Sequence, residues 1–187
     1  MATLSELLPL LFQELAGALQ SVDSAALGTL RSSILAAPRV FVDGQGRSGL
    51  QMRGFAMRLM HLGITVHVVG EVTAPAIEPA DTLVLGSASG QTASLVGHAR
   101  CARAAGAHIA LITATDRSPL ATEADTVIVI AAPTPKLAED SGLRSIQPMG
   151  TLFEQSLGLL LDLVTVQLMD ELRLTPTQML ARHANLE

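Results

Sequence analysis

The sequence predicts an α/β fold of three layers, a parallel five-stranded sheet with helices on both faces, flanked by helical N- and C-terminal arms. Three observations predict it. Five short runs rich in Val, Ile and Leu alternate with stretches of helical periodicity. The runs are apolar at consecutive positions, as strands covered on both sides must be. Glycine-rich loops follow the first and third runs, and the carboxyl ends of parallel strands are where such sheets bind ligands.

Taken in order, Leu4, Leu7, Leu8, Leu11, Leu15 and Leu19 recur at helical spacing, and Ser24 is a candidate cap for a second helix ending near Leu35. Val40-Phe41-Val42 reads as the first strand, followed by a glycine turn and a helix through Met60. Thr65–Val69 and Thr82–Leu85 read as the second and third strands, and a helix from about Thr92 to Ala105 leads to a fourth, Ile109–Ile112. Ser118-Pro119 caps a short helix before a fifth strand, Val127–Ile130. A loop with three prolines, Lys136 and Asp140 spans Ala132–Pro148. One long helix then runs from about Gly150 to Leu172, and Thr175-Pro176-Thr177-Gln178 begins another. With no repeat or linker, residues 1–187 read as one domain: a helical arm (1–37), a sheet core (38–131), and a long helix with a C-terminal arm (147–187).

Composition narrows the function classes. The chain is 49% hydrophobic with a mean hydropathy of +0.42. Its most apolar stretch, Leu157–Met169, is interrupted by Asp162 and Gln167, so no clean run of about 18 apolar residues argues for a membrane span. The first residues lack a basic region and carry Glu6 and Glu14, unlike a signal peptide. The surplus apolarity instead predicts helices apolar on more than one face and a homo-oligomer, dimer or tetramer. A single cysteine, Cys101, excludes an intrachain disulfide, suits a cytoplasmic location, and reads as a packing residue of its helix. A net charge of −5 and the absence of Trp and Tyr argue against nucleic acid as a partner.

The first glycine loop, Gly44-Gln45-Gly46-Arg47-Ser48-Gly49, fits the dinucleotide pattern G-x-G-x-x-G, and Glu71 lies where an acidic residue would take a ribose hydroxyl. Against that reading, Glu71 falls beyond Gly70 and the chain leaves little room for a substrate domain. The second loop, Gly86-Ser87-Ala88-Ser89-Gly90-Gln91-Thr92, sets three hydroxyls within six residues. Gly90 permits close backbone approach, and Thr92 stands at a helix start, whose positive end favours an anion. This is either a phosphate cradle of neutral donors or simply a tight turn with a helix cap. The histidines His61, His67, His98 and His108 form no i, i+4 metal pair, so neither metal nor cofactor is expected.

Together these residues resemble the sugar isomerase (SIS) family, flavodoxin- or Rossmann-like, in which the Ser-rich loop after the third strand holds a sugar phosphate. The resemblance narrows at Gly46-Arg47-Ser48-Gly49 leading into Phe55–Gly63, at Gln147-Pro148-Met149-Gly150-Thr151-Leu152-Phe153-Glu154, and at the closing His183-Ala184-Asn185-Leu186-Glu187. There the chain is similar to 6-phospho-3-hexuloisomerases over its whole length. One departure is Ala88, where the family usually has glycine.

The resemblance implies conversion of D-arabino-3-hexulose 6-phosphate to fructose 6-phosphate through an enediol, in the ribulose monophosphate route of formaldehyde assimilation. It implies Glu154 as the proton-transferring base, His183 as a second catalytic group reaching a neighbouring subunit, and Ser87, Ser89, Gly90, Gln91 and Thr92, completed by Arg47 and Ser48, as the phosphate and sugar contacts. The plain reading of Thr151-Leu152-Phe153-Glu154 is a capping box, and that of Arg47 a surface charge. Another phosphosugar, such as arabinose 5-phosphate, is the same-fold alternative. A non-catalytic sugar-phosphate sensor would need a DNA-binding domain, and 1–38 carries only Arg31 as a cation.

Overall fold

The computed structural model describes residues 2–136 and 143–186. Part of the predicted Ala132–Pro148 loop, positions 137–142, and the terminal Glu187 lie outside the described residues. The chain runs α1 (Leu4–Gln20), α2 (Ser24–Ala36), β1 (Val40–Gly44), α3 (Gly46–Leu62), β2 (Val66–Val68), β3 (Thr82–Gly86), α4 (Ala93–Ala105), β4 (His108–Thr113), α5 (Pro119–Glu123), β5 (Thr126–Val129), α6 (Thr151–Glu171) and α7 (Pro176–Leu180).

All five strands are parallel, in the order β2-β1-β3-β4-β5, with Val40 beside Val66 and Thr82, and Thr82 beside His108. Successive residues alternate between two cores, as the strand period requires. Val40, Val42, Val84, Ala110, Ile112 and Ile128 face a core filled by α1, α2, α3 and α6. Phe41, Leu83, Leu85, Ile109 and Leu111 face a second core closed by α4 and α5. The N-terminal helices pack against the sheet, with Leu15, Ala18, Leu30 and Ile34 buried in the first core.

Several boundaries move by a residue. Asp23, not Ser24, caps α2, its side chain accepting from the Ala25 amide at 2.9 Å. α7 covers only Pro176–Leu180, shorter than its capping sequence led one to expect. Cys101 is exposed rather than packed; Ala99 and Ala102 turn inward on α4 instead.

α6 is apolar on two sides. Leu157, Leu160, Leu161, Val164 and Leu168 are buried, while Leu159, Leu163 and Val166 are exposed. By length and composition it meets the requirement for a bilayer-crossing helix, yet half of that stretch is buried within the fold. Leu7, Leu8 and Phe12 on α1 and Leu50 and Met57 on α3 are also exposed.

Candidate active site

The strand order reverses direction between β1 and β3, so the loops leaving these two strands turn to opposite faces and leave a crevice between them. A cavity of about 220 Å³ lies there, lined by Gln45–Ser48 of the first loop, Ser87–Ser89 and Thr92 of the second, Thr134–Lys136, and Met149, Gly150 and Glu154. The starts of α3, α4 and α6 all border it. First-turn amides of a helix have no acceptor within it, so three sets of N–H donors and three positive helix ends meet at one place.

Close backbone packing makes this possible. A Cβ on Gly49 would stand 2.4 Å from the Gly44 carbonyl oxygen, so only glycine lets α3 begin directly over the end of β1. In the second loop Gly90 has φ +61°, and a Cβ there would fall 2.1 Å from Ser118 Oγ. Its glycine is therefore demanded by the turn and by the start of α5, not by approach to a ligand, and Gly90 does not line the cavity. Neither does Gln91, which is exposed. Ala88 keeps a negative φ, so alanine costs the loop no strain there.

The serine hydroxyls are half used. Ser87 Oγ accepts from the Gly90 amide at 3.2 Å, and Ser89 Oγ from the Gln91 amide at 3.4 Å. Each thereby fixes its rotamer while its O–H proton stays available to an anion in the cavity. Ser87, Ser89 and Ser48 are all buried.

Glu154 is not a capping residue. Gly150 caps α6, and Thr151, the first helical residue, gives its hydroxyl to the Pro148 carbonyl at 2.6 Å. The Glu154 carboxylate turns across the cavity, where Oε2 accepts from Arg47 Nε at 2.5 Å. Arg47 is likewise no solitary surface charge.

Two further carboxylates escaped sequence reasoning. Glu14 of α1 accepts from the Ser145 hydroxyl at 2.6 Å and the Ile146 amide at 2.7 Å, tying down the lead-in to α6. Partial burial pushes its carboxyl up, but the hydrogen bonds from Ser145, Ile146 and Gln147 hold it below the ordinary carboxylate range. Asp43, at the end of β1, is 5% exposed and pairs with His98 Nδ1 at 2.6 Å. Burial raises its pKa, against the lowering effect of His98 and the Gly44 amide. In the sequence only the place of Asp43 at a strand end hints at its contact, and nothing hints at that of Glu14.

His183 lies elsewhere. Its ring stacks on His61 at the far end of α3, with centroids 5.3 Å apart, and Arg182 Nη1 donates to the His61 carbonyl at 3.0 Å. Arg47 and His61 are 14 residues apart on α3, or about 21 Å at 1.5 Å per residue. Within one chain, His183 and Glu154 therefore sit at opposite ends of the sheet. Glu71, which the dinucleotide reading needs, pairs instead with Arg53 outside this cavity. Among the described residues no group of three or more metal-ligating side chains is gathered.

A crevice at the strand-order reversal, serine hydroxyls on one side and a carboxylate on the other, belongs with the family described as the SIS domain, whose model matches residues 33–157. This chain is a member of that family. Within it, the chain is 42% identical over 180 residues to the 3-hexulose-6-phosphate isomerase of Mycobacterium gastri, spanning 96% of this chain and 89% of that one. It is 40% identical over 158 residues to the 3-hexulose-6-phosphate isomerase of Bacillus subtilis, spanning 84% and 85%. A crystal structure of a Methanococcus jannaschii protein, from which the molecular function of 3-hexulose-6-phosphate isomerase was inferred, superposes with a TM-score of 0.82 at 33% identity, covering 97% of this chain and 99% of its own.

Proposed function

We propose that this chain isomerises D-arabino-3-hexulose 6-phosphate to D-fructose 6-phosphate in the cytoplasm, within the ribulose monophosphate route of formaldehyde assimilation. The observation that carries the proposal is the meeting of Glu154 with Ser87, Ser89 and Thr92 in one cavity. The 42% and 40% identity to proteins named for this reaction supports it.

The phosphate sits against the serine loop and the amides at the helix starts, a receptor that needs no net positive protein. Glu154 takes the proton from C2, beside the C3 carbonyl, and electrons move into a 2,3-enediolate. The same carboxyl returns the proton to C3, leaving the carbonyl at C2. The hydroxyl proton passes from O2 to O3, so no atom is gained or lost. Arg47 steadies the Glu154 carboxylate in the free protein and faces the enediolate oxygens as charge develops. Ser48 completes the sugar contacts, while Gly90 and Gln91 shape the loop from behind. His183 is the proton carrier between oxygens, supplied by a neighbouring subunit of a dimer or tetramer. The exposed apolar faces of α1, α3 and α6 support that assembly.

The test is a coupled assay of the purified protein. Arabino-3-hexulose 6-phosphate is generated from formaldehyde and ribulose 5-phosphate by the companion synthase, and fructose 6-phosphate is read through NADPH formation. Activity is expected, and Glu154→Gln should lose about 10²-fold or more in kcat. An inactive wild-type protein removes the substrate assignment; a fully active Glu154→Gln removes the base.

A further inference from the structure

Resting on the phosphosugar reading of the cavity, we propose that Lys136 is the cation that pairs with the substrate phosphate, and so the residue that fixes affinity for the phosphorylated end. Three observations carry this.

The first is charge. The described side chains lining the cavity include two cations, Arg47 and Lys136, and one carboxylate, Glu154. Arg47 and Glu154 are already joined at 2.5 Å and largely cancel one another. Lys136 supplies the surplus of one positive charge, and without it the lining is neutral. A phosphate monoester near pH 7 carries about −1.5 to −2. Neutral hydroxyls and amides orient such a group, but a charge-assisted contact is about twice as strong as a neutral one.

The second is commitment. Lys136 forms no ion pair among the described residues. Arg53, which lies beside the first loop, does: it pairs with Glu71. Lys136 is thus the charge in the cavity not already engaged.

The third is chemistry. Lys136 is the only lysine in the 187 residues, against eleven arginines. An arginine at the same rim would offer the fork geometry that seeks out carboxylates and would compete with Arg47 for Glu154. A lysine is a compact point charge on a flexible stem, able to follow the phosphate without binding the base in its absence. The polypeptide leaving β5 carries it over the serine loop through Thr134 and Pro135, which also line the cavity.

A sole lysine gives the test a direct probe. Reductive ¹³C-methylation of the full-length protein labels only this side chain and the α-amino group. Titration with fructose 6-phosphate should shift the Lys136 methyl resonance, and fructose at equal concentration should not. Lys136→Met should raise KM by about 10- to 100-fold, the range for losing a hydrogen bond to a charged group, with the smaller effect on kcat. Lys136→Arg should recover most of that loss in KM, while its competition with Arg47 for Glu154 lowers kcat. A Lys136→Met protein whose KM stays within about twofold of wild type overturns the proposal. A resonance indifferent to fructose 6-phosphate overturns it too. If the wild-type protein fails to isomerise the hexulose phosphate yet the resonance still answers to fructose 6-phosphate, the phosphate contact stands and the substrate assignment falls. If it isomerises and the lysine is silent, Lys136 alone is wrong.

Discussion

Arg47 Nε donates to Glu154 Oε2 at 2.5 Å, joining the first turn of α3 to the first turn of α6 across 107 positions of sequence. The carboxylate and its partner are thus far apart in sequence but share one helix–helix seam. Gly158 deepens the seam, since a Cβ there would strike the Gln51 amide oxygen at 2.4 Å.

Removing the guanidinium should leave a carboxylate that still exists but no longer points. Arg47→Met is expected to lower kcat by about 10²-fold through misplacement of the base, with a smaller change in KM. Steady-state kinetics separates the two. An effect confined to KM would return Arg47 to a simple binding role.

The separation of about 21 Å along α3 between Arg47 and His61 makes a firm prediction about subunits. Glu154→Gln and His183→Ala should each be inactive alone. Co-expressed, they should form mixed oligomers in which some sites draw Glu154 from one chain and an intact His183 from another. Activity that neither parent shows is the expected result. Persistent inactivity in proven mixed oligomers would exclude a role for His183 across subunits.

Gly90→Ala tests the second loop. The new methyl meets both a positive φ and Ser118 Oγ, which itself caps α5 by accepting from the Ala121 amide at 3.2 Å. The cost should be about 2–4 kcal/mol from backbone strain and overpacking together. Thermal unfolding should fall by roughly 5–15 °C for a domain of this size. Ala88→Gly, at a position without positive φ, should change the melting temperature by far less.

His61 predicts a pH dependence of stability. It is 3% exposed, and its Nε2 has no partner among the described residues. Burial lowers its pKa, and the nearby His183 and Arg58 lower it further. The unfolded chain therefore takes up the proton first as pH falls below about 6.5. Stability contributed by neutral His61 is complete above that value and is lost on acidification. Melting temperatures measured from pH 7.5 down to 5.5 should decline in the wild type and decline less in His61→Leu. Parallel curves would assign the effect to other groups.

The layered sheet was legible because its strands are short apolar runs whose spacing leaves room for one helix each. Val40-Phe41-Val42 belongs to both cores at once, and no alternative element accommodates that. Ser87, Ser89 and Thr92 were legible as a candidate cradle from their spacing, Arg47 and Glu154 only through resemblance, and the structure gathers all five around one cavity. Local pattern misled where a tertiary contact outweighs it. Thr151 and Glu154 have the spacing of a capping box, but the Pro148 carbonyl and Arg47 claim them. Cys101 looked interior because its helix is rich in alanine; which face turns inward is decided by β3 and β4, far away in sequence. Glu14 and Lys136 gave no sign, and Asp43 only its place at a strand end, since each lies near its partners only once the chain is folded.

The three helix starts around the crevice have an evolutionary consequence. Their N–H groups belong to the main chain, so among single substitutions only one to proline deletes a donor while the helix still forms. An anion held there as proposed is thereby insulated from drift, whereas Glu154, Arg47 and Ser48 can change one at a time. A lineage built on this crevice can explore new sugars while keeping its grip on the phosphate, retuning the reaction without first having to rebuild the receptor.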